Sequence, residues 1–150
     1  MGIWYFAFGS NMSTRRMRRA IGYWDDARRA TLRGYDVGFL AYSPQWGCGV
    51  LDLEERDGGV VPGVAYLLDE RRAAMLDRYE GVPTIARRLH VRIEVEGIGE
   101  VEAYTYVMAN RRRFVQPSKA YLDALVSGLR EWGYYSLVEG ILRKARASGT

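Results

Sequence analysis

The pattern of apolar and polar positions along the chain predicts both strands and helices. Ile3–Phe8 is a short apolar and aromatic run, which indicates a buried strand. From Leu89 to Val95 apolar residues alternate strictly with polar ones, which predicts a strand with one buried face. The remaining strands are predicted at Ala27–Leu32 and Tyr35–Tyr42 around a turn at Gly34, at Gly49–Glu55 and Gly63–Leu68 around a turn near Asp57 to Gly59, and at Val101–Met108.

Side chains that can accept hydrogen bonds from free N–H groups mark the starts of the predicted helices, and glycines mark most of their ends. The predicted starts are Ser13, Asp69, Ser118 and Ser136, and the glycine stops are Gly22, Gly81 and Gly133. Together the elements predict an α+β fold with about six strands, mostly antiparallel, and three or four helices. So many strands in so short a chain favour a curled or closed sheet.

Length and composition predict one domain, residues 1–150, in which 48% apolar residues provide a core. No apolar run approaches the length that crosses a bilayer, so no membrane partner is expected. Ile3–Phe8 is too short for the apolar core of a signal peptide, and no basic residue precedes it. We therefore expect a cytoplasmic protein.

The scarcity of cysteine and histidine narrows the possible chemistry. Cys48 is the single cysteine, so an intrachain disulfide and a Cys-rich metal site are excluded. His90 is the single histidine, which makes a Ser–His triad or a His-based zinc site hard to assemble. We expect no metal and no cofactor.

The formal net charge is +4, and nearly all the basic residues are arginines that fall into clusters. Such a surface can hold nucleic acid or an acidic metabolite. Because no base-stacking or groove-reading motif accompanies the charge, we favour a solvated surface of mixed charge and expect no nucleic-acid partner.

Three motifs could carry chemistry. In the first, a buried strand runs into Gly9, Ser10, Asn11 and Met12, where free N–H groups at a helix start can point at a carboxylate or an oxyanion. In the second, Glu80 ends a helix beside a glycine, near the negative end of the helix dipole, which raises its pKa and suits it to proton transfer. Taken alone, the first motif also fits an ordinary turn between a strand and a helix, and the second also fits an ordinary surface glutamate.

The third motif is Gln116 to Tyr121, a capped helix start whose tyrosine can pack its ring in the core while its hydroxyl reaches a site. In order, the motifs read F-G-S-N-M, L-D-x-x-E-G-V-P and P-S-x-x-Y. Their order and spacing, from Tyr5 to about Leu142, resemble the γ-glutamylcyclotransferase superfamily, which includes γ-glutamylamine cyclotransferases and AIG2-like proteins. The segment Gly63 to Leu68 is similar to the strand that precedes the glutamate helix in that family.

The resemblance implies a small mixed, mostly antiparallel six-stranded barrel with flanking helices, present as a monomer or homodimer. It implies that the α-amine of a γ-glutamyl amino acid or γ-glutamylamine attacks its own γ-amide, releasing 5-oxoproline and a free amine. Glu80 is then the general acid/base, and Tyr121 lines the pocket. The substrate-binding loop is Phe8, Gly9, Ser10, Asn11 and Met12.

Two departures from the family pattern bear on the substrate. Phe8 stands where the family commonly has a tyrosine. Ala86 and Arg87 occupy the positions at which many members carry a second tyrosine. We hypothesise that Arg87 replaces that tyrosine by binding a carboxylate of the substrate. The F-G-S-N-M motif also differs from the glutathione-specific branch, so glutathione is not the expected substrate. Two alternatives remain: a relative that binds a small acidic metabolite without turnover, and an arginine-rich nucleic-acid or protein-binding module.

Overall fold

Five strands curl into a closed barrel in this computed structural model, which describes residues 2–146. The strands are β1 (Ile3–Ala7), β2 (Asp26–Ser43), β3 (Cys48–Leu68), β4 (Ala86–Val95) and β5 (Gly99–Met108). Their order around the barrel is β1-β3-β2-β4-β5, and a parallel pairing of β1 with β5 closes it. All other pairings are antiparallel, which confirms the mixed, mostly antiparallel barrel.

Within residues 2–146 the strand count is five, whereas the sequence predicted about six. The segments predicted on either side of Gly34 join into β2, and those on either side of residues 57–59 join into β3. Both glycine turns exist locally, since Gly34 and Gly58 have φ values of 88° and 77°. They nevertheless lie at an irregularity of the β2–β3 ladder, between the pairs Arg33↔Val60 and Tyr35↔Glu55, where neither strand reverses direction. The turn residues at Gly34 and Gly58 therefore form a bulge within two long strands and do not separate four short ones.

In the part of the chain that the structure describes, four α-helices flank the barrel: α1 (Thr14–Ile21), α2 (Glu70–Glu80), α3 (Lys119–Glu131) and α4 (Val138–Arg146). Single 3-10 turns occupy Ser10–Met12 and Tyr135–Leu137. The caps predicted at Ser13, Asp69 and Ser118 are confirmed, because each side chain accepts a hydrogen bond from an N–H of the first turn. Ser136 lies in the second 3-10 turn, so the last helix starts later than predicted. No helix within residues 2–146 is long and apolar enough to cross a membrane.

The core brings the predicted motifs to one end of β1. Phe6 of β1, Tyr66 of β3 and Leu125 of α3 are fully buried and belong to one apolar cluster. Burying such side chains stabilises the fold by about 1.5–3 kcal/mol each. Since β1 ends at Ala7, the chain that follows it emerges beside α3.

Candidate active site

A cavity opens where the chain leaves β1, where α2 ends and where α3 begins. Glu80 and Tyr121 lie 69 and 110 residues after Asn11 in the sequence, yet all three line this cavity. The predicted site residues on its wall are Phe8, Gly9, Ser10, Asn11, Glu80 and Tyr121. The structure therefore brings the three sequence motifs to one cavity.

The loop after β1 forms a tight 3-10 turn. The N–H of Met12 donates to the carbonyl of Gly9 at 3.0 Å. Within residues 2–146, no group accepts a hydrogen bond from the N–H groups of Gly9, Ser10 or Asn11. These three amides are therefore available to a ligand. Met12 differs from the prediction, because its N–H is used in the turn and its side chain is buried away from the cavity.

Two aromatic side chains, the buried Tyr66 and the half-buried Trp132, hold this loop by its carbonyl groups. The hydroxyl of Tyr66 donates to the carbonyls of Asn11 and Met12 at 2.9 and 3.2 Å. The indole Nε1–H of Trp132 donates to the Met12 carbonyl at 2.7 Å. Because the carbonyls are bound on the protein side, the loop is fixed without using its first N–H groups.

The carboxylate of Glu80 faces the loop across the cavity. Its Oε2 accepts a hydrogen bond from Asn11 Nδ2 at 3.1 Å, and the same nitrogen donates to the Tyr5 hydroxyl at 3.1 Å. Glu80 is partly exposed as a residue, while its carboxyl group is enclosed. This burial raises the pKa of Glu80, and the Asn11 hydrogen bond and the charge of Arg16 oppose the rise. Burial, and not the helix dipole considered from the sequence, is the leading cause.

Tyr121 of α3 contributes an aromatic side chain to the cavity wall. Its hydroxyl oxygen accepts a hydrogen bond from the Leu51 N–H at 3.1 Å, and its ring packs edge-on against Trp46 with centroids 5.0 Å apart. A β-carbon at Gly9 would lie 3.2 Å from that hydroxyl, so the loop and the tyrosine touch. Burial raises the pKa of Tyr121 above its ordinary value, so the hydroxyl keeps its proton as a possible donor.

Arg16 was not predicted as a site residue. It belongs to one of the arginine clusters for which the sequence favoured a solvated surface. Arg16 lies on the cavity wall, with its guanidinium carbon 4.4 Å from the centre of the Trp46 ring. Its Nη2 donates to the Tyr79 hydroxyl at 3.0 Å. One signal could have found it: Arg16 is three residues after the Ser13 cap, so it lies in the first helical turn beside the loop. Trp46 comes from the β2–β3 connection and carries no such signal.

The positions that depart from the family pattern lie in different surroundings. Ala86 is fully buried, and Arg87 is exposed and absent from the cavity wall, which is evidence against the hypothesis that Arg87 binds a carboxylate there. Tyr5 of β1 and Tyr106 of β5 line the cavity. The Tyr5 hydroxyl accepts a hydrogen bond from Asn11, whereas the Tyr106 hydroxyl donates to Asp77, which does not line the cavity. Phe8 contributes an apolar wall.

Comparisons with known proteins agree with this geometry. The family model for gamma-glutamyl cyclotransferase, AIG2-like, matches residues 5–125. The chain is 30% identical to a gamma-glutamylcyclotransferase of Bos taurus over 142 residues, covering 86% of this chain and 71% of that protein. It is 29% identical to the putative gamma-glutamylcyclotransferase YkqA of Bacillus subtilis over 123 residues, covering 79% of this chain. A solved gamma-glutamyl cyclotransferase superimposes with a TM-score of 0.84 at 23% identity, over 95% of this chain and 87% of that one.

The extent of these matches differs between relatives. The chain spans 43% of the length of YkqA, so it corresponds to only part of that protein. The family model, in contrast, runs from Tyr5 in β1 to Leu125 in α3 and includes all three motifs. The matches confirm the resemblance drawn from the sequence and support an enzyme of this kind. The chain belongs to the gamma-glutamyl cyclotransferase, AIG2-like family.

Proposed function

We propose that this chain cyclises a γ-glutamyl amino acid or γ-glutamylamine to 5-oxoproline and releases the free amine. One observation carries the proposal. The Glu80 carboxylate, with its raised pKa, shares a cavity with the unbonded N–H groups of Gly9, Ser10 and Asn11. A proton-transfer group and a set of fixed donors therefore line the same cavity.

The reaction needs no nucleophile from the protein. The α-nitrogen of the substrate bonds to its own γ-carbonyl carbon, and the bond from that carbon to the leaving nitrogen breaks. From the α-ammonium form, two protons leave the α-nitrogen, and the leaving nitrogen gains two when it departs as an ammonium ion. Because the step is intramolecular, holding the substrate folded supplies much of the rate.

Glu80 is the proposed acid/base for these transfers. Its ionised carboxylate takes a proton from the α-ammonium, and the resulting acid returns a proton to the leaving nitrogen. A raised pKa makes both halves of the cycle accessible near neutral pH. The Asn11 side chain, 3.1 Å away, orients the carboxylate for both contacts.

The loop is the proposed anion-binding side of the cavity. The N–H groups of Gly9, Ser10 and Asn11 would hold the substrate's α-carboxylate and the oxyanion that develops on the γ-carbonyl oxygen. Phe8 and the buried Met12 would support the loop by packing. The Tyr121 hydroxyl, whose proton is retained, would donate to the substrate from the aromatic side.

The direct test is a screen of γ-glutamyl amino acids and γ-glutamylamines for release of 5-oxoproline. We expect turnover of at least one compound by the wild-type chain and turnover at least about 100-fold slower, or undetectable, by Glu80→Gln. Binding without 5-oxoproline release by the wild-type chain would instead favour the alternative of a non-catalytic pocket for an acidic metabolite. A near-wild-type rate in Glu80→Gln would remove Glu80 from the mechanism.

A further inference from the structure

The cavity wall carries one permanent positive charge that the proposed cyclisation does not use. Of the residues that line the cavity, Glu80 is the carboxylate and Arg16 the cation. A γ-glutamyl amino acid brings two carboxylates, one on the glutamyl group and one on the leaving amino acid, whereas a γ-glutamylamine brings only the first. The loop amides can account for one of them.

We infer that Arg16 binds the carboxylate of the leaving amino acid and so selects γ-glutamyl-α-amino acids over γ-glutamylamines. The inference rests on the proposed cyclisation and names the substrate class of the same site. It makes Arg16 a specificity-determining residue, because the leaving group is the part in which the two substrate classes differ.

The guanidinium is held by neutral groups. It stacks on Trp46 at 4.4 Å and donates through Nη2 to the Tyr79 hydroxyl at 3.0 Å. Within residues 2–146, no carboxylate oxygen lies within 4.0 Å of its nitrogen atoms, and its buried Nε has no hydrogen-bond acceptor. A buried donor of a charged group without an acceptor is unfavourable for folding. Arg16 therefore keeps its charge and most of its donors for an anionic ligand, in the fork geometry that suits a carboxylate.

The open rim of the cavity places Arg16 near the leaving group. Arg16 packs on Trp46, next in sequence to the exposed Gln45, whereas Asn11 and Tyr121 are buried at 7% and 3% exposure. Gly9, Ser10 and Glu80 are partly exposed, as Arg16 is, so only the Asn11 end of the loop lies at the buried floor. The leaving amine must depart through the open side, so its substituent passes the guanidinium.

Electrostatics near Glu80 supports the same assignment. Glu80 must reach the leaving nitrogen to protonate it, and the carboxylate of a leaving α-amino acid is only two bonds from that nitrogen. Two anions so close repel each other in an enclosed site. A cation on the same wall offsets that repulsion. An amine leaving group has no such carboxylate and gains nothing from the cation.

The test uses two substrates that differ only in that carboxylate, γ-glutamyl-L-alanine and γ-glutamyl-ethylamide. We expect Arg16→Gln to lower kcat/KM for the alanine compound by about 10- to 100-fold, the effect of losing a charge-assisted contact. The ethylamide value should fall much less, because that substrate lacks the contact and loses only what the Arg16 charge contributes through the pKa of Glu80. Arg16→Lys should recover part of the loss, because it keeps the charge but not the planar fork.

Arg15→Gln is the matched control, because Arg15 is the exposed neighbour on α1 and its substitution makes the same change in net charge. It should leave both substrates unaffected. Equal losses on the two substrates in Arg16→Gln would overturn the inference, since Arg16 would then serve the shared glutamyl group or folding. Unchanged kinetics on the alanine compound would overturn it as well.

A binding measurement separates this inference from the proposed reaction. In the Glu80→Gln background, calorimetry should show tighter binding of γ-glutamyl-L-alanine than of γ-glutamyl-ethylamide, and adding Arg16→Gln should remove that preference. If this pattern holds while the wild-type chain releases no 5-oxoproline, the cyclisation fails and carboxylate recognition by Arg16 stands. If 5-oxoproline is released but no Arg16-dependent preference is found, the reaction stands and the inference fails.

Discussion

Replacing Glu80 by glutamine should abolish turnover and, at neutral pH, stabilise the fold. The amide has a similar shape and can still accept a hydrogen bond from Asn11, but it cannot carry a proton. General acid–base catalysis contributes about 10²–10⁴-fold to rates, and kcat should fall by that amount. The assay is 5-oxoproline release at saturating concentration of a confirmed substrate.

The stability effect follows from the cause of the raised pKa. Since burial disfavours the ionised carboxyl, the folded protein binds the Glu80 proton more tightly than the unfolded chain, where the ordinary pKa is 4.5. As pH rises from that value through the folded pKa, the unfolded chain loses its proton first and stability falls. Above the folded pKa the penalty is complete, and below the ordinary value it is absent. Glutamine never carries the charge, so the variant escapes the penalty.

Thermal unfolding measures this difference. Each 1 kcal/mol that glutamine recovers should raise the Tm by about 2–4 °C in a chain of this length. The gain in Tm should be present at pH 8 and should vanish near pH 4.5. Over the same window, kcat/KM of the wild-type chain should fall as the pH is lowered, because Glu80 loses its ionised form. Glu54→Gln is the control, since Glu54 is exposed and the charge change is equal. A Glu80→Gln variant that keeps near-wild-type kcat, or that melts lower than wild type at pH 8, would refute the reasoning.

Three further substitutions test the walls of the cavity. Tyr121→Phe loses the hydrogen bond from the Leu51 N–H, so unfolding should become easier by about 1 kcal/mol and turnover should weaken, as measured by urea titration and initial rates. Gly9→Val should reduce both stability and substrate affinity, by about 1–3 kcal/mol of unfolding free energy, because even a β-carbon would lie 3.2 Å from the Tyr121 hydroxyl. A Gly9→Val chain with unchanged Tm and KM would remove the loop from the site. Tyr66→Phe leaves the Asn11 carbonyl without its buried donor and should cost about 1–3 kcal/mol, with a matching loss of kcat/KM if the loop amides hold the substrate.

The sequence predicts what is decided locally. The caps at Ser13 and Asp69 are confirmed because a capping side chain acts on an N–H only a few residues away. The loop after β1 is also local, since it needs only a strand end, a glycine and a helix start. Glu80 was a local candidate, as a carboxylate beside a helix-terminating glycine, but only the family resemblance selected it over an ordinary surface glutamate.

The sequence could not predict what depends on pairing over distance. The turn residues at Gly34 and Gly58 indicate local bends, but only the ladder between β2 and β3 shows that both strands run on through them. Arg16 was assigned to the solvent because its neighbours in sequence are exposed arginines. Its surroundings come instead from Trp46 and Tyr79, which lie 30 and 63 residues further along the chain.

The position of β1 explains why so small a barrel can hold a rigid site. β1 is paired on both edges, with β3 antiparallel and with β5 parallel, and a side chain from each neighbour fixes the chain at its end. From β5, the Thr105 hydroxyl donates to the Phe6 carbonyl at 2.7 Å; from β3, the Tyr66 hydroxyl donates to the Asn11 carbonyl at 2.9 Å. Both donors are buried and bind carbonyl groups, so they fix the chain without occupying the N–H groups of Gly9, Ser10 and Asn11, whose directions are set before a ligand arrives. Donors fixed in this way need no reorganisation during reaction, which is the condition under which they stabilise a developing oxyanion best. The parallel closure of the barrel therefore supports the site directly, because without β5 the strand that delivers the loop would be held on one edge alone.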